Sequence, residues 1–333
     1  MSGMENASHN RISILGDSIH VSVLPEHGGK ITSIYLPKRG LELLHLPLRD
    51  YSPATHDSGF DLSDAGGWDE CLPTVSACTH LGRFFPDHGD LWRIPWSSTS
   101  HDKVVEQQVD ATTLPLHFSR RLLLEDDRLT IHYSVENMGP DKTEFLWSAH
   151  PLFQVDEGDR ILLPSDIRRV RVEGSTLYQL QAKTIVNWPC PTAPDDIIHD
   201  LSIVGPQDAR TSYKFFAGPL KHGWCALWRD HAKVGIILCF DPKLLPYLGL
   251  WISLGAWPER EGARQYCVAL EPTTSPCDSL REASSGGTAR SLVPGQQSNW
   301  KLELKVYGTS SPLTKNDFEK VVRDLASQSP PVD

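Results

Sequence analysis

The sequence predicts an all-β protein, a large antiparallel β-sandwich with few short helices. Three observations carry the prediction. Many short segments alternate apolar and polar residues, as half-buried strands do. Between them lie apolar runs rich in β-branched and aromatic residues, which suit strands covered on both faces by two stacked sheets. The 25 prolines fall mainly in the gaps, where they end strands without removing ladder hydrogen bonds.

Taken along the chain, Ile19, Val21 and Val23 share one face of a predicted strand, and Ile167, Val170 and Val172 form a less regular one. Leu129, Ile131, Tyr133 and Val135 interleave with Thr130, His132, Ser134 and Glu136, the clearest alternation present. Residues 118–124 read as the partner strand, with Glu125-Asp126-Asp127-Arg128 as the hairpin turn. Residues 224–228, 234–240 and 248–254 are the apolar runs, and Trp300, Leu302, Leu304 and Val306 close the set. One segment reads as a helix, 315–326: Thr314 caps it, Asp317 lies in its first turn, and Phe318, Val321, Val322 and Leu325 form an apolar stripe. It is expected to pack outside the sandwich. Ser284-Ser285-Gly286-Gly287-Thr288 is expected to be a flexible loop, as are the ends, 1–10 and 327–333. Without a repeat or a composition shift, 11–326 is expected to form a single domain.

A chain of 333 residues with 39% hydrophobic and 22% charged residues is an ordinary globular composition, far from that of disordered chains. Its net charge of -10 argues against nucleic acid as a partner, because neutralising a phosphate backbone takes clustered Lys and Arg. The polar start, Met1 to Arg11, lacks the apolar core of a leader, and no stretch approaches the ~20 apolar residues of a membrane span, so a cytoplasmic location is expected. The seven cysteines are odd in number and scattered without a C-x-x-C pair, which fits free thiols in a reducing compartment. His56, His80 and His88 lie near Asp57 and Asp69, but their spacing matches no zinc or iron pattern, and no metal is expected.

Four segments concentrate chemistry. Pro86 to Trp96 packs His88, Asp87, Asp90, Arg93, Trp92 and Trp96 between prolines. Indole faces stack on the C–H face of a sugar ring, and Arg and Asp reach its hydroxyls; the same tryptophans would also fill a core edge. His150 is the lone histidine of the apolar run Phe145 to Phe153, a setting that suits a structural histidine or one that moves protons near neutral pH. Glu271 ends the apolar run Tyr266 to Leu270 just before Pro272. A carboxylate there is costly unless paired or at the mouth of a cleft, and desolvation would make it a better base; a strand-end glutamate pointing into water is the plain alternative. The loop Asp64 to Pro73 sets Asp69 and Glu70 beside Trp68 and two glycines, with Glu70 the acid expected to face a ligand.

These segments, in this order, resemble the galactose mutarotase-like, or aldose 1-epimerase, superfamily, and its divergent bacterial members most. The resemblance spans nearly the whole chain. It includes Leu24-Pro25-Glu26-His27-Gly28-Gly29-Lys30-Ile31-Thr32-Ser33, His88-Gly89, His150-Pro151-x-Phe153, Leu270-Glu271-Pro272 and the closing Trp300-x-Leu302-x-Leu304. It implies the supersandwich fold and cofactor-free interconversion of the α and β anomers of an aldose or modified sugar. It further implies Glu271 as base, His150 as acid and His88 as the group that orients or polarises the ring oxygen. Trp68, Asp69, Glu70, Trp92, Arg93 and Trp251 are the candidate substrate contacts, in a monomer or homodimer. The family's early Asn-Arg element and its further Asp before the glutamate have no match here, and Asp200, Asp230 and Asp241 sit in no recognisable motif. Arg83 and Arg93 suit a grip on a phosphate or carboxylate of the sugar, and equally suit solvated pairing with nearby acids. Two other classes remain open: a non-catalytic carbohydrate-binding protein on the same fold, which the ten tryptophans allow, and a glycoside-active hydrolase or lyase pairing Glu271 with Glu70 or Asp69.

Overall fold

The computed structural model describes residues 10–51, 54–55, 58–63, 65–176, 180–191, 199–259 and 262–308, together with 320 and 324. Its described residues form two large antiparallel sheets that share one core. The predicted helix 315–326, apart from Lys320 and Asp324, and the tail 327–333 lie outside them, as does the start up to residue 9.

The alternating segments pair as their pattern requires. Leu116–Glu125 and Arg128–Asn137 form a hairpin with Phe118 opposite Val135 and Leu122 opposite Ile131, all buried. The turn between them is Asp126-Asp127, with Asp126 at a φ of 43°, a conformation that short acidic side chains tolerate. Gln297–Gly308 lies on the other side of Arg128–Asn137 and carries Trp300, Leu302 and Leu304 into the same core. The apolar runs Trp224–Arg229 and Val234–Phe240 pair with each other and are buried throughout, completing this eight-stranded sheet with Arg160–Leu162, Val104–Asp110 and Ser97–His101.

The larger sheet holds, at its centre, Trp68–Cys71, Ser148–Gln154, Tyr266–Thr273, Tyr247–Leu254, Thr211–Ala217 and Arg169–Ser175 as successive neighbours. Strand alternation splits each of them between two faces. Ala149, Phe153, Leu270, Leu250, Ile252 and Phe215 enter the inter-sheet core, while His150, Glu271, Gly249, Trp251 and Lys214 share the opposite face. The short helix Leu280–Ser285 follows the strand Tyr266–Thr273 in the chain, a helix the Ser/Gly-rich composition did not reveal. The helix and the turn behind it are tied down: Ser284 Oγ donates to Glu144 Oε2 at 2.6 Å, and the Thr288 amide donates to the Ala283 carbonyl at 2.8 Å.

A buried polar link crosses between the sheets. Arg120 of the hairpin, fully buried, donates to Glu70 Oε1 of the larger sheet at 2.9 Å, and Tyr133 OH donates to the same oxygen at 3.0 Å. Burial raises the Glu70 carboxyl from 4.5 to about 7, with the Arg120 charge opposing the rise. Its second oxygen has no hydrogen-bond partner, which suits a proton there. The native state thus binds this proton more tightly than the unfolded chain. The stability it contributes is complete below about pH 4.5 and is lost as the pH rises through about 7. The urea midpoint of the wild type is therefore expected to fall between roughly pH 5 and 8 more steeply than that of Glu70→Gln. Parallel profiles for the two proteins would contradict this assignment.

Candidate active site

Register builds the floor of the site. Ser148 lies opposite Thr273 and Leu152 opposite Ala269, which sets His150 beside Glu271. The next strand places Gly249 beside Glu271 and Trp251 beside Ala269, and the one after it places Lys214 beside Trp251. Small residues alternate with functional ones. An added Cβ at Gly249 would lie 2.7 Å from Glu271 Oε2, so the carboxylate rests directly over this glycine.

His150 Nε2 is 3.9 Å from Glu271 Oε1, an oxygen with no hydrogen-bond partner of its own. Lys214 Nζ donates to Glu271 Oε2 and is 3.6 Å from Asp278 Oδ1. Burial pushes the Glu271 carboxyl up, with Lys214 pulling it back, and burial pushes His150 well below the ordinary histidine range, with His88 and Lys214 adding to the fall. The Lys214 ammonium is held above the usual lysine range by Asp278 and Glu271 despite its own burial.

His88 reaches the site from the loop over this floor. Its φ is 57° and that of Gly89 is 69°, a left-handed pair followed by the Asp90 amide, which donates to the Leu72 carbonyl at 2.7 Å. A Cβ at Gly89 would fall 2.1 Å from that carbonyl oxygen, so only glycine permits the approach. Asp90 Oδ2 accepts from the amides of Thr112 and Thr113, fixing the far side of the turn. The His88 ring stacks on Phe60 with centroids 3.8 Å apart, meets His150 edge to face at 5.0 Å, and has Nδ1 3.1 Å from Asp87 Oδ2. This contact holds the Asp87 carboxyl below its usual range, although burial opposes it.

These groups surround a cavity of about 290 Å³ whose wall includes Phe60, His88, His150, Lys214, Trp251 and Trp257. Glu173 and Asp278 also face it. A larger hollow of about 530 Å³ lies on the outer side of the eight-stranded sheet, against Arg121, His132 and Lys301. Its carboxylate, Glu106, is half exposed and paired with Arg121 at 3.3 Å, so it has no desolvated acid–base pair. Among the described residues no group of three His, Cys, Asp or Glu is placed to hold a metal ion; His56 and Asp57 lie outside them. No helix among the described residues is long and apolar enough to cross a membrane.

Of the nine candidate residues, His88, His150 and Trp251 line the cavity, and Glu271 lies behind His150. The other five do not reach it. Trp68 is fully buried in the main core. Asp69 takes the Lys30 ammonium at 2.5 Å, and Glu70 takes Arg120; both are buried and paired there rather than turned toward a ligand, and neither lines the cavity beside Glu271. Arg93 donates to the carbonyls of Gly89, Asp87 and Thr55 and covers the Trp92 ring, whose own N–H donates to Asp87 O. These two residues build the His88 loop instead of binding through it. Arg83 likewise donates to the Thr113 carbonyl.

Phe60, Trp257, Lys214, Asp278, Glu173 and Gln265 escaped the sequence reading. Only Lys214 left a signal, as the one charge inside the run Tyr213 to Phe216.

Solved structures with this fold include Slr1438 from Synechocystis sp. PCC 6803, at 15% identity, a TM-score of 0.69, and coverage of 93% of this chain and 100% of that one. A galactose mutarotase related enzyme from Lactobacillus acidophilus aligns at 16% identity and a TM-score of 0.64, covering 91% and 99%. A galactose mutarotase-like protein from Lactobacillus casei ATCC 334 aligns at 18% and 0.62, covering 90% and 100%. The architecture is thus the galactose mutarotase-like sandwich. No curated protein matches the chain. The chain belongs to the DUF4432 family, a domain of unknown function whose family model matches residues 99–306. That span takes in His150, Lys214 and Glu271 and begins beyond His88.

Proposed function

We propose that the protein is a mutarotase-type isomerase that interconverts the anomers of an aldose or modified sugar. The observation that carries this reading is the approach of His150 Nε2 to the unpartnered Glu271 Oε1, 3.9 Å apart, beside a cavity with aromatic walls. A carboxyl and an imidazole this close, both screened from water, supply the base and the acid that proton exchange across a sugar ring requires.

Glu271 takes the proton from the anomeric hydroxyl, and the released electron pair forms the carbonyl as the bond from C1 to the ring oxygen breaks. His150 delivers a proton to that oxygen. Rotation about the C1–C2 bond followed by the reverse transfers closes the other anomer, so protons and electrons balance without a cofactor. His88, braced by Phe60 and Asp87, directs its ring toward the same space and holds the substrate. Trp251 and Trp257, at right angles with centroids 6.4 Å apart, offer faces for the sugar's C–H surface.

Equilibration of single anomers, followed by NMR over a panel of neutral, amino, acidic and phosphorylated sugars, tests the reading. Wild-type protein is expected to speed at least one of them above the spontaneous rate. Binding without acceleration on every sugar would reduce the protein to a lectin-like role, and release of an aglycone from a glycoside would replace isomerisation with hydrolysis.

A further inference from the structure

We propose that Lys214 is a positioning residue: its ammonium, reaching over Gly249, holds the Glu271 carboxylate beside His150 and keeps it in the ionised form a base needs. The inference rests on the acid–base reading of Glu271 and His150 and deepens it.

Geometry carries the argument. Lys214 and Glu271 stand on strands that flank Tyr247–Leu254 on either side, so their side chains must cross that strand to meet. They meet where the strand has glycine, and the Glu271 carboxylate occupies the space a Cβ would need. Lys214 Nζ takes Oε2 and leaves Oε1 toward His150. One oxygen is thereby fixed and the other is free to accept a proton.

The surrounding charges fit this division. Asp278, 3.6 Å from Lys214, helps keep the lysine charged, and Cys71 lies within range of it. Glu173 faces the cavity, but its oxygens are taken by Arg171 and Lys183, each at 2.6 Å. Asp87 is matched to His88, and Lys30, which acts on His150 from the neighbouring strands, is matched to Asp69. Lys214 is in direct contact with Glu271 and so favours the anion there more than it disfavours a proton on His150. Without it, burial alone would drive a proton onto Glu271, the wrong state for a base.

The test uses the full chain and its Lys214→Met, Lys214→Arg, Gly249→Ala and Glu271→Gln variants, with melting temperatures recorded for each. Infrared difference spectra against pH read the carboxyl directly and need no substrate. Lys214→Met is expected to show, beyond the neutral Glu70 carboxyl already present in the wild type, an additional neutral carboxyl band near pH 7 that Glu271→Gln in the same background removes; Lys214→Arg is expected to restore the wild-type spectrum. In turnover, the acidic limb of kcat/KM is expected to rise by about 1–3 pH units in Lys214→Met. Gly249→Ala, which displaces the carboxylate, is expected to lose roughly 100-fold in kcat with little change in KM. A Lys214→Met protein whose infrared titration and pH limb match the wild type, whatever its melting temperature, would reduce Lys214 to a structural ion-pair partner. A wild type that accelerates no sugar would end the isomerase reading alone, because the infrared result still decides what Lys214 does. Should Lys214→Met not fold, the Gly249→Ala and Lys214→Arg proteins decide: wild-type turnover and spectrum in Gly249→Ala would overturn the proposal.

Discussion

Glu271→Gln is expected to lower the rate of anomer interconversion by about 100- to 10,000-fold while leaving the fold intact. The substitution preserves the shape that lies over Gly249 and can still meet Lys214 through its amide oxygen, but it removes the only group proposed to accept the anomeric proton. His150→Ala is expected to fall in the same range, and the double variant to lose little more than either single one, because the two act as a unit. The loss belongs in kcat more than in KM, since the groups act on protons in flight and the aromatic wall continues to hold the ring. The pH dependence of wild-type kcat/KM is expected to be bell-shaped, with limbs that belong to the coupled pair and not to either residue. Acceleration retained by Glu271→Gln within a few-fold of the wild type would remove Glu271 from the chemistry.

Glu70→Ala should be strongly destabilising although it lies outside the site. Above about pH 7, where the Glu70 carboxyl is ionised, it leaves the Arg120 guanidinium fully buried, without that anion and unable to shed its proton. Tyr133 OH loses its acceptor as well. Breaking a buried pair in this way costs about 3–5 kcal/mol, which for a chain of this size lowers the melting temperature by roughly 4–7 °C. Removal of both partners, Glu70→Leu with Arg120→Met, should recover part of that loss, since no charge is left stranded. A single variant that melts within a degree of the wild type would mean that solvent reaches Arg120.

The Glu70 and Asp69 pair illustrates where sequence reasoning stops. Acids beside Trp68 and glycines suit a sugar-binding loop equally well as buried ion-pair partners. Which of the two applies depends on Lys30 and Arg120, which lie 39 and 50 residues away along the chain. The same holds for Arg93 and Trp92, whose hydrogen bonds to loop carbonyls no local pattern encodes. His150 and Glu271 were legible because each is a polar exception in an apolar strand, a cost that a folded chain tolerates only for a reason.

What the amino-acid order determined by itself is the set of strands, their inner and outer faces and the isolated polar residues upon them, because alternation is a local property of the extended backbone. Only the tertiary structure decided which of those residues meet. Register across strands far apart in the chain placed Lys214, Gly249, Glu271 and His150 in one patch, and the His88 turn was laid over it by its bonds to Leu72 and Val75. Contacts of that kind arise from packing between distant segments, and a short window of sequence contains only one partner of each.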